Sequence, residues 1–391
     1  MIRSEKIYKK WQEMKKYIKL TQEMKKCIII VKKWKEWKWG YDMYNKNPFT
    51  LMYGIPALST ISRDEPINKI LNSFMYSNSM YMYLITGIRG TGKTVLLRKT
   101  SEIISKNNDW ITIDLNPQGD IITSLANRLY DQSKSKKLLD GWKISLNLPY
   151  ITITKEQGEV INDPELIAEK ILEKLTKSNT KVLITIDEVN NTHEFKKFVN
   201  FYQSILGKNI PLYLLMTGLK ENINAIINDE AMTFLSRAPK IELEPLSLPN
   251  IALEYKTIFD LDTTTSIEMA KLTNGYAFAY QVLGYLFYED NDKVLDDKFI
   301  SSYDSYLWNN GYHKFWKDLT KKERDFITSM ALSKNCTKTE ILSHKIITNS
   351  NYSQYRKRLL EKGLIVSNSY DYLQFVLPRF KEFVLFAKEF D

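Results

Sequence analysis

Hydrophobic and polar positions change period several times along this chain, and each change predicts an element. Tyr81-Met82-Tyr83-Leu84-Ile85-Thr86 is a short apolar run that reads as a buried strand, and Thr94-Val95-Leu96-Leu97-Arg98-Lys99 opens a helix. Further strands are expected at Trp110–Asp114, Val182–Asp187, Leu212–Thr217 and Ile241–Leu243. The near-continuous hydrophobicity of 182–186 is the pattern of a central parallel strand covered on both faces. Residues 248–318 read as mostly helical, with Tyr276, Phe278, Tyr280, Tyr285, Phe287 and Tyr288 as core aromatics. From 319 the order becomes helix, helix, helix, hairpin. Phe326, Ile327, Met330 and Ala331 fall at helical spacing within 319–332, and Thr337-Lys338-Thr339-Glu340 has the form of a capping box. A third helix, 351–362, is ended by Gly363 as a C′ residue. Strands at 364–366 and 372–377 follow, the second stopped by Pro378.

At 391 residues the chain exceeds one compact core, so roughly two or three domains are expected. Hydrophobic residues at 43% and charged residues at 26% are the balance of a globular protein. No window approaches the ~18 apolar residues of a spanning helix, and neither an integral membrane segment nor a secretory signal is expected. Two cysteines, Cys27 and Cys336, and three histidines exclude a disulfide framework and a His/Cys metal cluster, which makes the cytoplasm the expected compartment. The net charge of +10 is uneven. Residues 1–46 hold 14 Lys/Arg against 5 Asp/Glu, residues 320–391 hold 13 against 8, and the middle holds 29 against 33. Basicity therefore sits at the two ends.

The first 46 residues mix Trp11, Trp34, Trp37 and Trp39 with lysine pairs, and Ile7, Trp11, Met14 and Ile18 follow helical spacing. A basic amphipathic helix of this kind suits a membrane surface or nucleic-acid phosphates. A solvated extension that packs its aromatics on the body, or a stretch upstream of a later start at Met43, is the simpler and preferred account.

The strongest chemical signal is Gly87-Ile88-Arg89-Gly90-Thr91-Gly92-Lys93-Thr94, a full match to G-x-x-x-x-G-K-[ST] between an expected strand and an expected helix. Glycines let backbone N–H groups converge on phosphate oxygens, and the helix N-terminus beginning at Thr94-Val95 adds a favourable dipole. Lys93 would reach the β/γ-phosphates of ATP and the Thr94 hydroxyl would ligate Mg²⁺. The strand ending in Asp187-Glu188 supplies what such a loop lacks, with Asp187 for the metal and Glu188 to polarise an attacking water. Thr217 would end a strand lying between these two, at the same carboxyl edge, either as a sensor of the γ-phosphate or as a cap on the next turn.

With these pieces in order, residues 47–391 resemble a prokaryotic AAA+ P-loop ATPase of the initiator-like kind, allied to STAND ATPases. Ile61-Ser62-Arg63-Asp64-Glu65 resembles the family's Gly-Arg-x-x-Glu segment beside the adenine pocket, with Ser62 in place of glycine. Leu235-Ser236-Arg237-Ala238 resembles the segment whose arginine contacts a neighbour's nucleotide, so the resemblance implies a homo-oligomer. An ordinary ion pair for Arg237 is the alternative. Thr273-Asn274-Gly275-Tyr276-Ala277-Phe278-Ala279 resembles the lid motif but has neither its proline nor its sensor arginine. Arg89 reads as facing solvent or DNA. The implied fold is α/β, a P-loop NTPase (AAA+/ASCE) parallel-sheet core at 47–247, a helical lid at 248–318 and a winged helix at 319–391, preceded by the extension 1–46.

In a winged helix the third helix enters the major groove. Here Ser350, Asn351, Ser353, Gln354, Arg356, Lys357 and Arg358 lie on its polar face, suited to DNA. Protein docking is the other common use of such a module. The expected function is a Mg²⁺-dependent ATPase whose nucleotide state controls DNA binding. A nucleotide-gated switch that hardly turns over is the rival, and the missing lid arginine favours it. A P-loop kinase fits the acidic pair and the appended module poorly.

Overall fold

The computed structural model describes residues 46–52, 57–77, 80–132, 142–147, 150–155, 160–369 and 372–389, so the basic pattern read in 1–45 lies outside it. Helix α1 (Asp64–Leu71) leads to β1 (Met82–Thr86), α2 (Lys93–Ser105), β2 (Trp110–Leu115) and α3 (Ile121–Asp131). After β3 (Trp142–Asn147), β4 (Tyr150–Lys155) and β5 (Val160–Ile161) come α4 (Pro164–Lys177), β6 (Lys181–Ile186), α5 (His193–Gly207), β7 (Leu212–Gly218), α6 (Lys220–Ile227) and β8 (Lys240–Glu242). The antiparallel strands β3–β5 form a separate small sheet that the sequence reading did not include.

The main sheet is parallel, in the order β2-β6-β7-β1-β8. Residues of the central strands alternate between two buried faces, which explains the near-continuous apolar runs of β1, β6 and β7. Leu84, Ile113, Ile184 and Leu214 join the core under α3, α4 and α5, while Tyr83, Ile85, Leu183 and Leu215 join the core under α1 and α2. The acid-bearing β6 is separated from β1 by β7. Ile85 pairs with Thr217 and Ile186 with Met216, so Thr217 stands one residue beyond the paired end of β6, level with Asp187. This is the interposed strand that the sequence predicts.

The chain continues through α7 (Leu248–Phe259), α8 (Thr263–Thr273), α9 (Ala277–Glu289), α10 (Asp297–Leu307) and α11 (His313–Lys317). Then follow α12 (Lys321–Leu332), α13 (Lys338–Ser343), α14 (Asn349–Glu361), β9 (Ile365–Ser369), β10 (Tyr372–Phe375) and α15 (Phe380–Ala387). The expected helix–helix–helix–hairpin order is present, with differences in detail. The reciprocal capping box lies at Thr320 and Glu323, not at 337–340. Thr337 does accept from Glu340 N–H, but the Glu340 carboxylate turns to Asn335 N–H at 2.8 Å. Helix α15 was not expected. Its Phe380 and Phe383 stack against each other and both meet Tyr312 edge-on. One apolar core runs from Leu246 to Ala387, through all these helices and the hairpin, and takes in Phe49 and Ile88 from the other end of the chain. Among the described residues no helix is long and apolar enough to cross a membrane.

Candidate functional site

The glycine-rich loop joins the carboxyl end of β1 to α2. Gly90 (φ +75°) and Gly92 (φ +91°) occupy the left-handed region that glycine adopts without steric cost. Helix α2 starts at Lys93, one residue earlier than expected, and Gly92 at its N-cap provides no side-chain acceptor. The first N–H groups of the helix are thus left for an external anion. Lys93 is buried, at 8% exposure, and its ammonium donates to the carbonyls of Gly87 (3.0 Å) and Ile88 (2.8 Å). Burial pulls the Lys93 pKa down to about 8, against the opposing pull of Asp187 and Glu188.

The acids meet this loop directly. Thr94 Oγ1 donates to Asp187 Oδ2 at 2.6 Å. Thr217, fully buried, donates its hydroxyl to Asp187 Oδ1 and accepts from the Glu188 N–H at 3.1 Å. The Thr217 carbonyl accepts the Val189 N–H at 2.8 Å. Thr217 thus meets the Asp187 carboxylate and the backbone N–H of Glu188, bracing the turn that carries the two acids. Glu188 has an exposed side chain and a left-handed backbone, φ +56°. A hydroxyl and a carboxylate facing each other are hard oxygen donors of the kind Mg²⁺ takes, so Thr94 and Asp187 fit that ion.

Beside the loop lies a cavity of about 90 Å³, lined among others by Ile61, Arg63, Ile67, Val95, Ala277 and Tyr280. Its apolar walls suit a base, and Val95, half-exposed on α2, is one of them. Arg63 donates to Glu244 O at 2.6 Å and Thr91 O at 3.1 Å, fastening the segment before α1 to the phosphate loop. A larger groove of about 600 Å³, between α8, α10 and residues 375–382, shares no residue with the loop.

The loop is also held from the far end of the chain. Tyr276, at the start of α9, donates its hydroxyl to Arg89 O at 2.8 Å, and Phe278 N–H bonds Gly90 O at 3.0 Å. Tyr276 was read as a core aromatic and as part of the lid-like segment 273–279; the Asn274-Gly275 pair before it, left-handed in the structure, is the sequence signal for a fixed position. Ile88 turns its side chain into the core shared by α7 to α15, so only its backbone is open to a phosphate. Arg89 keeps the solvent-facing side chain expected of it, 38% exposed. Its guanidinium lies 3.9 Å from Asp318, because the segment before α12 packs over the loop and places an acid there.

Arg237 ends a 3-10 helix, exposed, and among the described residues it forms neither an ion pair nor a contact with the Lys93–Asp187 cluster. The ion-pair alternative thus has no partner for Arg237 among the described residues. On α14, Ser350, Ser353, Gln354, Lys357 and Arg358 are exposed. Arg356 instead donates to Ser367 Oγ at 2.8 Å and is partly buried against the hairpin, a correction to its place on the open face.

Residues 61–210 match a family described as an ATPase domain predominantly from Archaea, and residues 309–384 match a domain of unknown function. The fold is similar to that of a Walker-type ATPase of Pyrococcus abyssi, at 16% identity and a TM-score of 0.61, covering 86% of this chain and 99% of that one. It is also similar to the ORC2 protein of Aeropyrum pernix solved in ADPNP and ADP complexes, at 13% identity and a TM-score of 0.52, covering 89% and 98%. No curated protein matches the chain. These likenesses show a P-loop ATPase fold with a helical carboxyl-terminal region.

Proposed function

We propose that this chain binds ATP with Mg²⁺ at the loop 87–94 and hydrolyses it to ADP and phosphate, and that nucleotide state acts on a DNA-binding winged helix at 319–391. The observation that carries this is the meeting of Lys93, Thr94, Asp187 and Thr217 where β1, β6 and β7 end. The loop amides of Gly87 to Gly92 and the α2 N-terminus cradle the phosphates, and Lys93 leaves the loop carbonyls to bond them. Thr94 and Asp187 hold the metal, which when bound neutralises charge developing on the phosphate oxygens. Glu188 takes the proton of the attacking water. Arg63, Val95 and Tyr280 bound the base.

The exposure of Arg237 supports a role toward a neighbouring copy. The exposed Ser353, Gln354, Lys357 and Arg358 on α14 support contact with DNA phosphates and base edges. One observation favours the rival reading of a slow nucleotide-gated switch: Ile88 anchors the phosphate loop in the carboxyl-terminal core. Phosphate release from MgATP, measured with and without duplex DNA, separates the two. Turnover that DNA changes supports the proposal. Bound nucleotide without turnover in either condition supports the switch.

A further inference from the structure

We infer that Asn190 and Asn222 are positioning residues for Glu188, fixing the backbone that aims its carboxylate. The inference rests on reading Glu188 as the base. Glu188 is held in the left-handed region, where a side chain with a Cβ is disfavoured. Among the described residues nothing bonds its carboxylate, so what the fold fixes is the direction in which its Cα–Cβ bond leaves the turn.

Two grips hold this backbone. On the β7 side, Thr217 takes the N–H of Glu188 on its hydroxyl and the N–H of Val189 on its carbonyl. On the other side, Asn190 Nδ2 donates to the Glu188 carbonyl at 3.0 Å, and Asn222 Nδ2 donates to Asn190 Oδ1. Asn222 belongs to α6, which is seated by the buried Ile223 and Ile226 and is thus a fixed anchor. The Asn190 amide donates to a carbonyl and accepts from a second donor at once, which a carboxylate or an alkyl group cannot do. The bond directions also fix both amide orientations without ambiguity. Without Asn190 the turn loses the α6 grip and is free to relax toward a right-handed conformation, swinging the carboxylate away. A displacement of about 1 Å at a reacting group costs on the order of 10²-fold in rate.

The test uses the full chain, with MgATP as ligand. Phosphate release and MgATP affinity are measured for the wild type, Asn190→Ala, Asn222→Ala, Glu188→Gln and the Asn190→Ala/Glu188→Gln pair. Asn190→Ala should lower kcat at least ~10-fold while KM and Kd stay within about threefold. Asn222→Ala should show a smaller loss of the same kind. In the Glu188→Gln background, Asn190→Ala should change residual turnover by less than about twofold, because its effect passes through Glu188. A merely structural role would instead produce equal losses in both backgrounds. That result, a wild-type kcat in Asn190→Ala, or a change confined to KM overturns the inference. If melting shows Asn190→Ala unfolded, Asn222→Ala on its separate helix carries the same comparison. Wild-type turnover in Glu188→Gln defeats the base reading and this inference with it. A stalled Glu188→Gln beside unaffected asparagine variants defeats the inference alone.

Discussion

Tyr276 donates its hydroxyl to the Arg89 carbonyl at 2.8 Å, so the first helix after the Asn274-Gly275 turn is tied to the phosphate loop itself. The next residue of that loop makes the contact testable. A Cβ on Gly90 would lie 2.2 Å from the Tyr276 hydroxyl, at a φ of +75° that disfavours any side chain. Gly90→Ala should therefore lower the melting temperature and weaken nucleotide binding together. Tyr276→Phe, which keeps the ring, should cost only about 1 kcal/mol. Thermal unfolding with a parallel nucleotide titration reads both.

Ile88 and Arg89 are neighbours with opposite expected weights. Ile88 is 5% exposed in the carboxyl-terminal core, and its truncation to alanine should cost roughly 2–5 kcal/mol. Arg89 faces Asp318 at 3.9 Å with both side chains well exposed, and Arg89→Ala should change stability by less than about 1 kcal/mol. Denaturant unfolding of the two variants checks this ordering. Equal effects would mean that the loop is not anchored through Ile88.

Thr217 bonds the Asp187 carboxylate and the Glu188 N–H through one hydroxyl. Thr217→Val keeps the shape and removes both bonds, so kcat should fall on the order of 10²-fold with nucleotide affinity little changed. Thr217→Ser should retain most of the activity. A sensor that also bound the phosphate would lose affinity as well, which a binding titration detects.

The parts of the site legible in the sequence are local in the chain. Gly87 to Thr94 is eight consecutive residues, and Asp187-Glu188 closes a run whose apolar character betrays its burial. Even the strand interposed before Thr217 follows from counting apolar runs. The ties that hold these pieces are long-range. Tyr276 reaches Arg89 across 187 positions, and no periodicity announces that an aromatic hydroxyl will meet a loop carbonyl. Arg356 was assigned to an open surface because an arginine in a polar stretch has no visible partner, whereas Ser367 becomes its neighbour only through folding. Helix α15 carried a readable signal, since Phe380, Phe383, Val384 and Ala387 fall at helical spacing around the polar Lys381-Glu382. The same is true of the pair β3–β4. Residues 142–147 and 150–155 alternate polar and apolar positions, and that pattern was available to the reading.

Glu323 sets a pH dependence. Burial pushes its carboxyl pKa up, but the Thr320 N–H and hydroxyl and the Lys362 ammonium bond its charged form and hold it below the ordinary glutamate range. A folded-state pKa below the unfolded one means that the stabilisation is complete above the unfolded value. It is lost as pH falls through the folded value. The melting-temperature advantage of the wild type over Glu323→Gln should therefore be constant from about pH 6 to 7 and shrink below about pH 4.5. A gap that widens on acidification would reverse the sign.

The central claim is that the loop and the acid pair form one hydrolytic site, with binding at Lys93 and chemistry at Glu188. The most direct measurement is phosphate release from MgATP alongside MgATP affinity, for the wild type, Lys93→Ala and Glu188→Gln. Lys93→Ala should bind roughly 10- to 100-fold more weakly, since it loses a charged hydrogen bond to phosphate. Glu188→Gln should bind like the wild type and release phosphate about 10²–10⁴-fold more slowly. Wild-type turnover in Glu188→Gln, or undiminished affinity in Lys93→Ala, would contradict the account.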